Sequence, residues 1–344
     1  MKNRNYAIMI FLSLFVASCG NKAPHNPNLA SGINKENMDL SVNPANDFYQ
    51  YACGGWMKNN PLKPEYSRFG SFDQLAENNR EQLHELISGI ATQGHEQGTI
   101  KQKIGDFYNL GMDTKAIEEQ GNAPIQEALT AIADMKDKKE LTGKLVEMAL
   151  TGSYPLIALF GEADPDDSRM TMPWFYQNGL SIGDRDYYLE SDMANVREAY
   201  VKMLDKMLQI SGYSKIAKFE GKENQVANQI LAFETELAKI FMDKELTRDP
   251  QRMNNKMSID AVQQILPILD VKAYMTGLGL GHIETVNVAT LDYFKLLNSV
   301  LEVVDFNVLK AFLAWETINN ASSFLSDDFV NTSFDFYGRI LSGK

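Results

Sequence analysis

The sequence predicts a mainly α-helical fold with a few short β elements. Apolar residues recur at the helical spacing i, i+3, i+4, i+7 in several stretches, and Leu83, Leu86, Ile87 and Ile90 form one of them. Strand signals are few, and the clearest is a short alternation at residues 286–288. With 344 residues, 44% of them hydrophobic, the chain has enough apolar side chains for the core of one large domain or two medium ones.

The same spacing predicts further helices along the chain, at residues 100–108, 137–148, 193–210, 226–241 and 308–318. Asp137 and Glu140 have the spacing of a capping box at the start of the helix at 137–148. Gly212 is expected to end the helix at 193–210. Two polar stretches, residues 161–173 and 218–224, are predicted to be breaks in regular structure. The glycines at residues 277–281 are expected to form a loop between a helix and a strand.

The first residues predict export and lipid anchoring. Lys2 and Arg4 precede an apolar run at residues 7–17, which has the length of a signal-peptide core. Small residues then lead to Cys19, the arrangement that bacterial lipoprotein signal peptidase reads. We expect a signal peptide at 1–18, acylation of Cys19, a flexible tether at 19–45, and anchoring to the bacterial cell envelope. The alternative is an ordinary secretory signal with a chance cysteine.

Charge and cysteine content exclude two classes of protein. The formal net charge is −12, and no basic cluster offsets it, so nucleic acid is not expected as a partner. Only two cysteines are present, so the fold is not a disulfide scaffold, and Cys53 is expected to be a small buried hydrophobic residue. Asp164, Asp166 and Asp167 suggest either a calcium loop or, as we favour, a solvated acidic turn.

No catalytic motif is found in the sequence. A helical zinc protease needs His-Glu-x-x-His, in which two histidines one turn apart bind the metal and the glutamate activates water. The nearest match begins at His84-Glu85, but Ser88 stands where the second histidine is required. Nucleophile-elbow, Walker and Rossmann glycine patterns are also missing. We therefore predict no catalytic residue, no metal ligand and no cofactor within this sequence.

Residues 46–56, 60–64 and 67–73 include the motifs Cys53-Gly54-Gly55-Trp56 and Ser67-Arg68-Phe69-Gly70. These stretches resemble the opening segment of the neprilysin family of zinc metallopeptidases. Residues 179–189 resemble an internal family segment, with Gly183 in place of the usual proline. Residues 233–238 and 337–343 are similar to later family segments. In many relatives a disulfide cysteine stands where this chain has Ala45.

The resemblance implies that residues 46–344 are the multi-helical, substrate-enclosing N-terminal domain of a two-lobed zincin metallopeptidase. In the family the zinc motif lies further along the chain. We therefore expect this sequence to be truncated before the catalytic C-terminal domain and inactive alone, with zinc present in full-length members. The implied partners are peptide substrates, the missing catalytic domain in cis or in trans, and the membrane through the anchor.

Arg68 is the residue to which the resemblance assigns a role. In relatives the matching arginine binds the C-terminal carboxylate of peptides, and Asp73 is placed to orient it. The alternative is a structural salt bridge between Arg68 and Asp73 or another acid near the surface. For the whole chain the expected function is part of a zinc metalloendopeptidase. The alternatives are a non-catalytic peptide-binding lipoprotein and, with less support, a helical glycan-binding lipoprotein.

Overall fold

The computed structural model describes residues 34–344, so the predicted signal peptide and Cys19 lie outside the described residues. The described residues divide into two compact units, with the boundary between Glu77 and Asn78. No helix within residues 34–344 is long and apolar enough to cross a membrane.

The described part of the first unit is built around helix α1 (Phe48–Asn59), which precedes helix α2 (Ser71–Ala91). Asp47 caps α1 by accepting a hydrogen bond from the Gln50 backbone N–H at 2.8 Å. A short 3₁₀ turn at Lys35–Asn37 packs closely on α1. The approach is so close that a Cβ added to Gly55 would lie 2.3 Å from the Glu36 carbonyl oxygen. Part of the segment expected to be a tether is therefore packed on α1. Cys53 is only partly buried, not fully buried as expected.

The second unit is mainly helical and confirms the predicted fold class. Between α2 and the first strand, the chain forms four helices: α3 (Ile100–Met112), α4 (Thr114–Gln120), α5 (Gln126–Ala133) and α6 (Leu141–Leu150). The hairpin strands β1 (Ile157–Asp164) and β2 (Asp167–Gln177) are followed by α7 (Asp186–Leu189), α8 (Ala194–Ile210), α9 (Tyr213–Ile216) and α10 (Glu223–Ile240). Next come β3 (Lys256–Ser258), α11 (Ile259–Ile265), α12 (Val271–Gly277), β4 (Thr285–Val288), α13 (Leu291–Val303), α14 (Phe306–Ala321), α15 (Asp327–Ser333) and a π-helix, Phe334–Leu341.

The four strands form one sheet in the order β1-β2-β4-β3. Strands β1 and β2 are antiparallel, with Ile157 opposite Gln177, and β4 runs parallel to β2. The short strand expected at residues 286–288 is confirmed as β4. The break expected at residues 161–173 is wrong, because this stretch is the outer part of the β1–β2 hairpin. Its residues are mostly exposed, so they lack the apolar alternation that indicates a half-buried strand.

The acidic turn between β1 and β2 is an ion-pair cluster. The Lys256 ammonium on β3 contacts the Asp164 carboxylate and lies 2.7 Å from Asp166. Arg169 pairs with Asp167 at 2.8 Å. The hydrogen bond from Lys256 lowers the pKa of Asp164, so this carboxyl stays ionised at neutral pH. Two cations of the chain therefore offset most of the negative charge of the turn, and Lys256 ties the turn to β3.

The core of the second unit lies between α8, α10 and α14. The Tyr200 and Trp315 rings are 6.0 Å apart, edge to face, and those of Phe233 and Phe312 are 5.0 Å apart. The π-helix closes this core, with the Phe336 ring 5.5 Å from that of Tyr200. The predicted helices at 193–210, 226–241 and 308–318 are confirmed as α8, α10 and α14, because their periodic apolar faces are the ones buried here.

Candidate functional site

The loop between α1 and α2 carries Arg68 and is held by an ion pair between Lys63 and Glu77. The Lys63 ammonium donates to both carboxylate oxygens of Glu77, at 2.9 and 3.1 Å. The Tyr66 hydroxyl donates to the same carboxylate at 2.8 Å. The hydrogen bond to Glu77 raises the pKa of Lys63, so the lysine remains a cation at physiological pH. Glu77 therefore holds two points of the loop against the start of α2.

Aromatic side chains form the apolar side of this loop. The Phe69 ring stacks on Trp56 of α1 at a centroid distance of 6.0 Å, and the Tyr66 ring lies 5.2 Å from Phe69. The Lys63 ammonium also lies 5.5 Å from the centre of the Phe69 ring. The residues on both sides of Arg68 are thus anchored by packing as well as by charge.

Arg68 itself is exposed to solvent. In the described part of the chain it forms no ion pair, and Asp73 instead accepts a hydrogen bond from the Gly70 backbone N–H at 2.8 Å. The suggested salt bridge between Arg68 and Asp73 is therefore not formed, and Asp73 does not orient the guanidinium. The five N–H donors of Arg68 are left to face solvent on a fixed loop, which suits recognition of a carboxylate.

The described residues do not fit a zinc site. His84 lies on α2 with its ring 6.4 Å from that of Tyr108, an edge contact within the α2–α3 pair. Within residues 34–344, no group of three or more His, Cys, Asp or Glu side chains is arranged to hold a metal ion. A catalytic zinc needs three protein ligands, so no chemical step is assigned to zinc in these residues.

A second polar feature is a carboxyl group in the core of the second unit. Glu234 on α10 is fully buried. Its carboxyl accepts hydrogen bonds from the hydroxyls of Tyr188 at 2.8 Å, Tyr200 at 2.9 Å and Ser181 at 2.6 Å. Burial raises the pKa of Glu234 to about 8 despite these three donors, because desolvation penalises the charged form.

A second carboxyl, Glu316 on α14, faces the same serine. The Ser181 hydroxyl lies 3.4 Å from Glu316 Oε1 and accepts a hydrogen bond from Trp315 Nε1 at 2.8 Å. The Glu316 side chain is partly buried, and the loss of solvation raises its pKa to about 7. Because a serine hydroxyl has one proton, it serves one carboxyl at a time. Ser181, Glu234 and Glu316 form what we call the carboxyl cluster.

Sequence analysis did not predict the carboxyl cluster, although it singled out two of the segments that form it. Ser181 and Tyr188 lie in the segment 179–189, and Glu234 lies in the segment 233–238. The signal for Glu316 was a single acid inside an apolar helix, which suggests a buried polar contact but does not identify the partner.

The backbone conformation at Gly183, within the segment 179–189, explains why this chain has glycine where the family usually has proline. Gly183 has φ of 105°, which proline cannot adopt. The charged residues that follow tie this segment to the end of α10. Arg185 donates to the Phe241 carbonyl at 3.0 Å, and Lys244 pairs with Asp184 at 3.2 Å. This part of the resemblance therefore marks a structural connection.

Comparisons with known proteins agree with this fold. Peptidase family M13 matches residues 44–344. Endothelin-converting enzyme 1 of Rattus norvegicus is 26% identical over 314 residues, covering 87% of this chain and 40% of that protein. The endothelin-converting enzyme homolog of Locusta migratoria is 29% identical over 317 residues, covering 85% of this chain and 42% of that protein.

A solved structure shows the same fold. Mycobacterium tuberculosis zinc metalloprotease Zmp1 in complex with inhibitor is similar at a TM-score of 0.82 and 26% identity, covering 91% of this chain and 48% of that chain. The chain thus spans less than half the length of these relatives. Because the family match extends over most of the sequence, the chain belongs to peptidase family M13, the neprilysin-type family, and corresponds to its N-terminal region.

Proposed function

We propose that this chain is the substrate-enclosing N-terminal domain of a lipid-anchored zinc metalloendopeptidase that acts on peptides. The observation that supports the proposal is the exposed Arg68 guanidinium on a loop held by Lys63, Tyr66 and Phe69. A guanidinium can pair with both oxygens of a carboxylate at once, so Arg68 would bind the C-terminal carboxylate of a short peptide. Zinc and its activated water would come from a catalytic domain, in cis or in trans.

Exposed apolar side chains on α2 and α3 support the need for a partner domain. Leu83 and Leu86 on α2 are 55% and 61% exposed, and Phe107 and Leu110 on α3 are 80% and 68% exposed. The two helices contact each other through the Asn109 side chain, which donates to the Ala91 carbonyl at 3.3 Å. Large apolar side chains are seldom left in water in such number on one helix pair, and a catalytic domain would cover them.

The test supplies a catalytic domain of an M13 relative fused after Lys344 and compares Arg68→Met with the unaltered sequence. The substrates are one short peptide with a free C-terminal carboxylate and the same peptide amidated. Loss of a charge-assisted pair costs about 1.5–3 kcal/mol, so kcat/KM for the free acid should fall roughly 10- to 150-fold. Cleavage of the amidated peptide should stay within about twofold.

Arg169→Met is the matched control, because Arg169 is an exposed arginine that is already paired with Asp167. It should leave both substrates unchanged. Equal losses on the free and amidated peptides after Arg68→Met, or no loss on either, would make Arg68 a structural residue. The unfused chain should cleave neither peptide. Chelator-sensitive cleavage by the unfused chain would contradict the assignment of zinc chemistry to another domain.

The alternative function is a non-catalytic peptide-binding lipoprotein. It is favoured by the fact that the Arg68 loop is assembled entirely from residues of this chain, between Trp56 and Glu77. Titration of the unfused chain with the free-acid peptide separates the two functions. Micromolar binding that is lost on Arg68→Met, without any cleavage by the fused protein, would support the alternative.

A further inference from the structure

The carboxyl cluster places two acids around one serine with no compensating cation. No lysine, arginine or histidine within residues 34–344 forms an ion pair with Glu234 or Glu316. Two ionised carboxylates at such a site repel each other, and each also loses the solvation that water would give it. The three hydroxyl donors to Glu234 offset only part of its lost solvation, and a second charge at the same serine has no comparable support.

The elements packed around Glu234 contribute hydroxyls and one further acid. Helix α7 contributes Tyr188 and α8 contributes Tyr200, and α14 contributes Glu316. Tyr293 on α13 directs its hydroxyl to the Leu156 and Asn178 carbonyls, so it does not serve the cluster. Burial raises the pKa values of these tyrosines further above neutrality, so they stay protonated when the acids titrate.

The π-helix at Phe334–Leu341 rests on this cluster. The Tyr337 hydroxyl donates to the Ser181 carbonyl oxygen at 3.3 Å, and the Phe336 ring packs on Tyr200, which itself donates to Glu234. Burial, with the nearby charges of Glu234 and Glu316, raises the pKa of Tyr337, so its hydroxyl stays protonated. Long π-helices are rare because their hydrogen bonding is less favourable than that of α-helices. This segment therefore depends on its contacts with the cluster.

We propose that Glu234 and Glu316 form a proton-dependent latch, which holds the π-helix at Phe334–Leu341 while at least one carboxyl is protonated and releases it when both ionise. The direction follows from where protons are bound. Both carboxyls bind protons more tightly in the closed core than in an opened or unfolded chain, where glutamate has its ordinary pKa of about 4.3. The closed state is thus fully stabilised at acidic pH and loses stability as pH rises through 7 and 8.

Hydrogen–deuterium exchange of the chain, read for residues 334–341 and corrected for the intrinsic pH dependence of exchange, tests the latch. Between pH 6 and pH 9 the corrected opening of this segment should increase at least roughly tenfold, because one proton released per opening event changes the equilibrium tenfold per pH unit until the carboxyls of the closed state have ionised. Segments in α3 and α12, which do not contact the cluster, should change less than about twofold.

Glutamine mimics a protonated glutamate without ionising, so Glu316→Gln and Glu234→Gln should each reduce the response by at least about threefold, and the double variant should flatten it to within about twofold. Each single variant still tests the latch if the other does not fold. Glu236→Gln is the control, because Glu236 lies on the same helix but is exposed and paired with Lys239 at 2.6 Å. It should keep the full response. A flat profile in the unaltered chain, an unchanged profile in the glutamine variants, or equal loosening of the whole second unit would each overturn the latch.

Discussion

Lys138, a partly buried side chain, is expected to contribute strongly to the stability of the second unit. It lies in the short turn before α6, and its ammonium donates to three carbonyl oxygens near the end of α13. The distances are 2.7 Å to Leu301, 2.8 Å to Glu302 and 2.7 Å to Val304. Carbonyl groups at the C-terminal end of a helix have no intrahelical N–H donor, so the ammonium of Lys138 supplies one. A cation at this end also complements the helix dipole.

Substitution Lys138→Met keeps the length and apolar stem of the side chain and removes only the charge and the donors. A hydrogen bond to a charged group contributes about 1.5–3 kcal/mol, but the three bonds share one ammonium and water can reach some of the freed carbonyls. We therefore expect the free energy of unfolding to fall by about 2–3 kcal/mol. For a unit of this size that corresponds to a Tm lower by roughly 5–10 °C.

The measurement is urea unfolding of the purified chain followed by circular dichroism, with Lys139→Met as control. Lys139 is the next residue and is exposed, so its substitution should change the free energy of unfolding by less than about 0.5 kcal/mol. The reasoning fails if the two variants lose the same stability, or if Lys138→Met loses less than about 0.5 kcal/mol.

Three further predictions concern single positions. Lys218 has φ of 61° at the end of α9, so Lys218→Gly should raise the free energy of unfolding by roughly 0.5–1 kcal/mol, and lower stability would contradict this. Gly179 has φ of 115° and an added Cβ would lie 2.6 Å from the Pro155 carbonyl oxygen, so Gly179→Ala should cost at least about 3 kcal/mol in thermal unfolding, whereas a loss below about 1 kcal/mol would refute the clash. In a bacterium with lipoprotein machinery the chain should incorporate labelled fatty acid, and label that persists after Cys19→Ala would rule out the proposed anchor.

The sequence alone determined the positions of the main helices and the family. The apolar periods of α8, α10 and α14 are long and regular, and the faces that they predict are buried. This works because helix periodicity is a local property, visible within one window of the chain. The β1–β2 hairpin was missed because its outer half is exposed and polar, so it has no apolar alternation to detect.

Only the tertiary structure decided which polar residues meet. Along the chain, Glu234 lies 53 positions and Glu316 lies 135 positions after Ser181. Nothing in the local sequence around these residues indicates that they meet. The same holds for Arg68: sequence places an acid five residues away, but the backbone of the turn brings Asp73 to the Gly70 N–H instead. Local pattern fixes which segments are helices, whereas contacts between side chains on different elements depend on how those elements pack, which no single window of sequence contains.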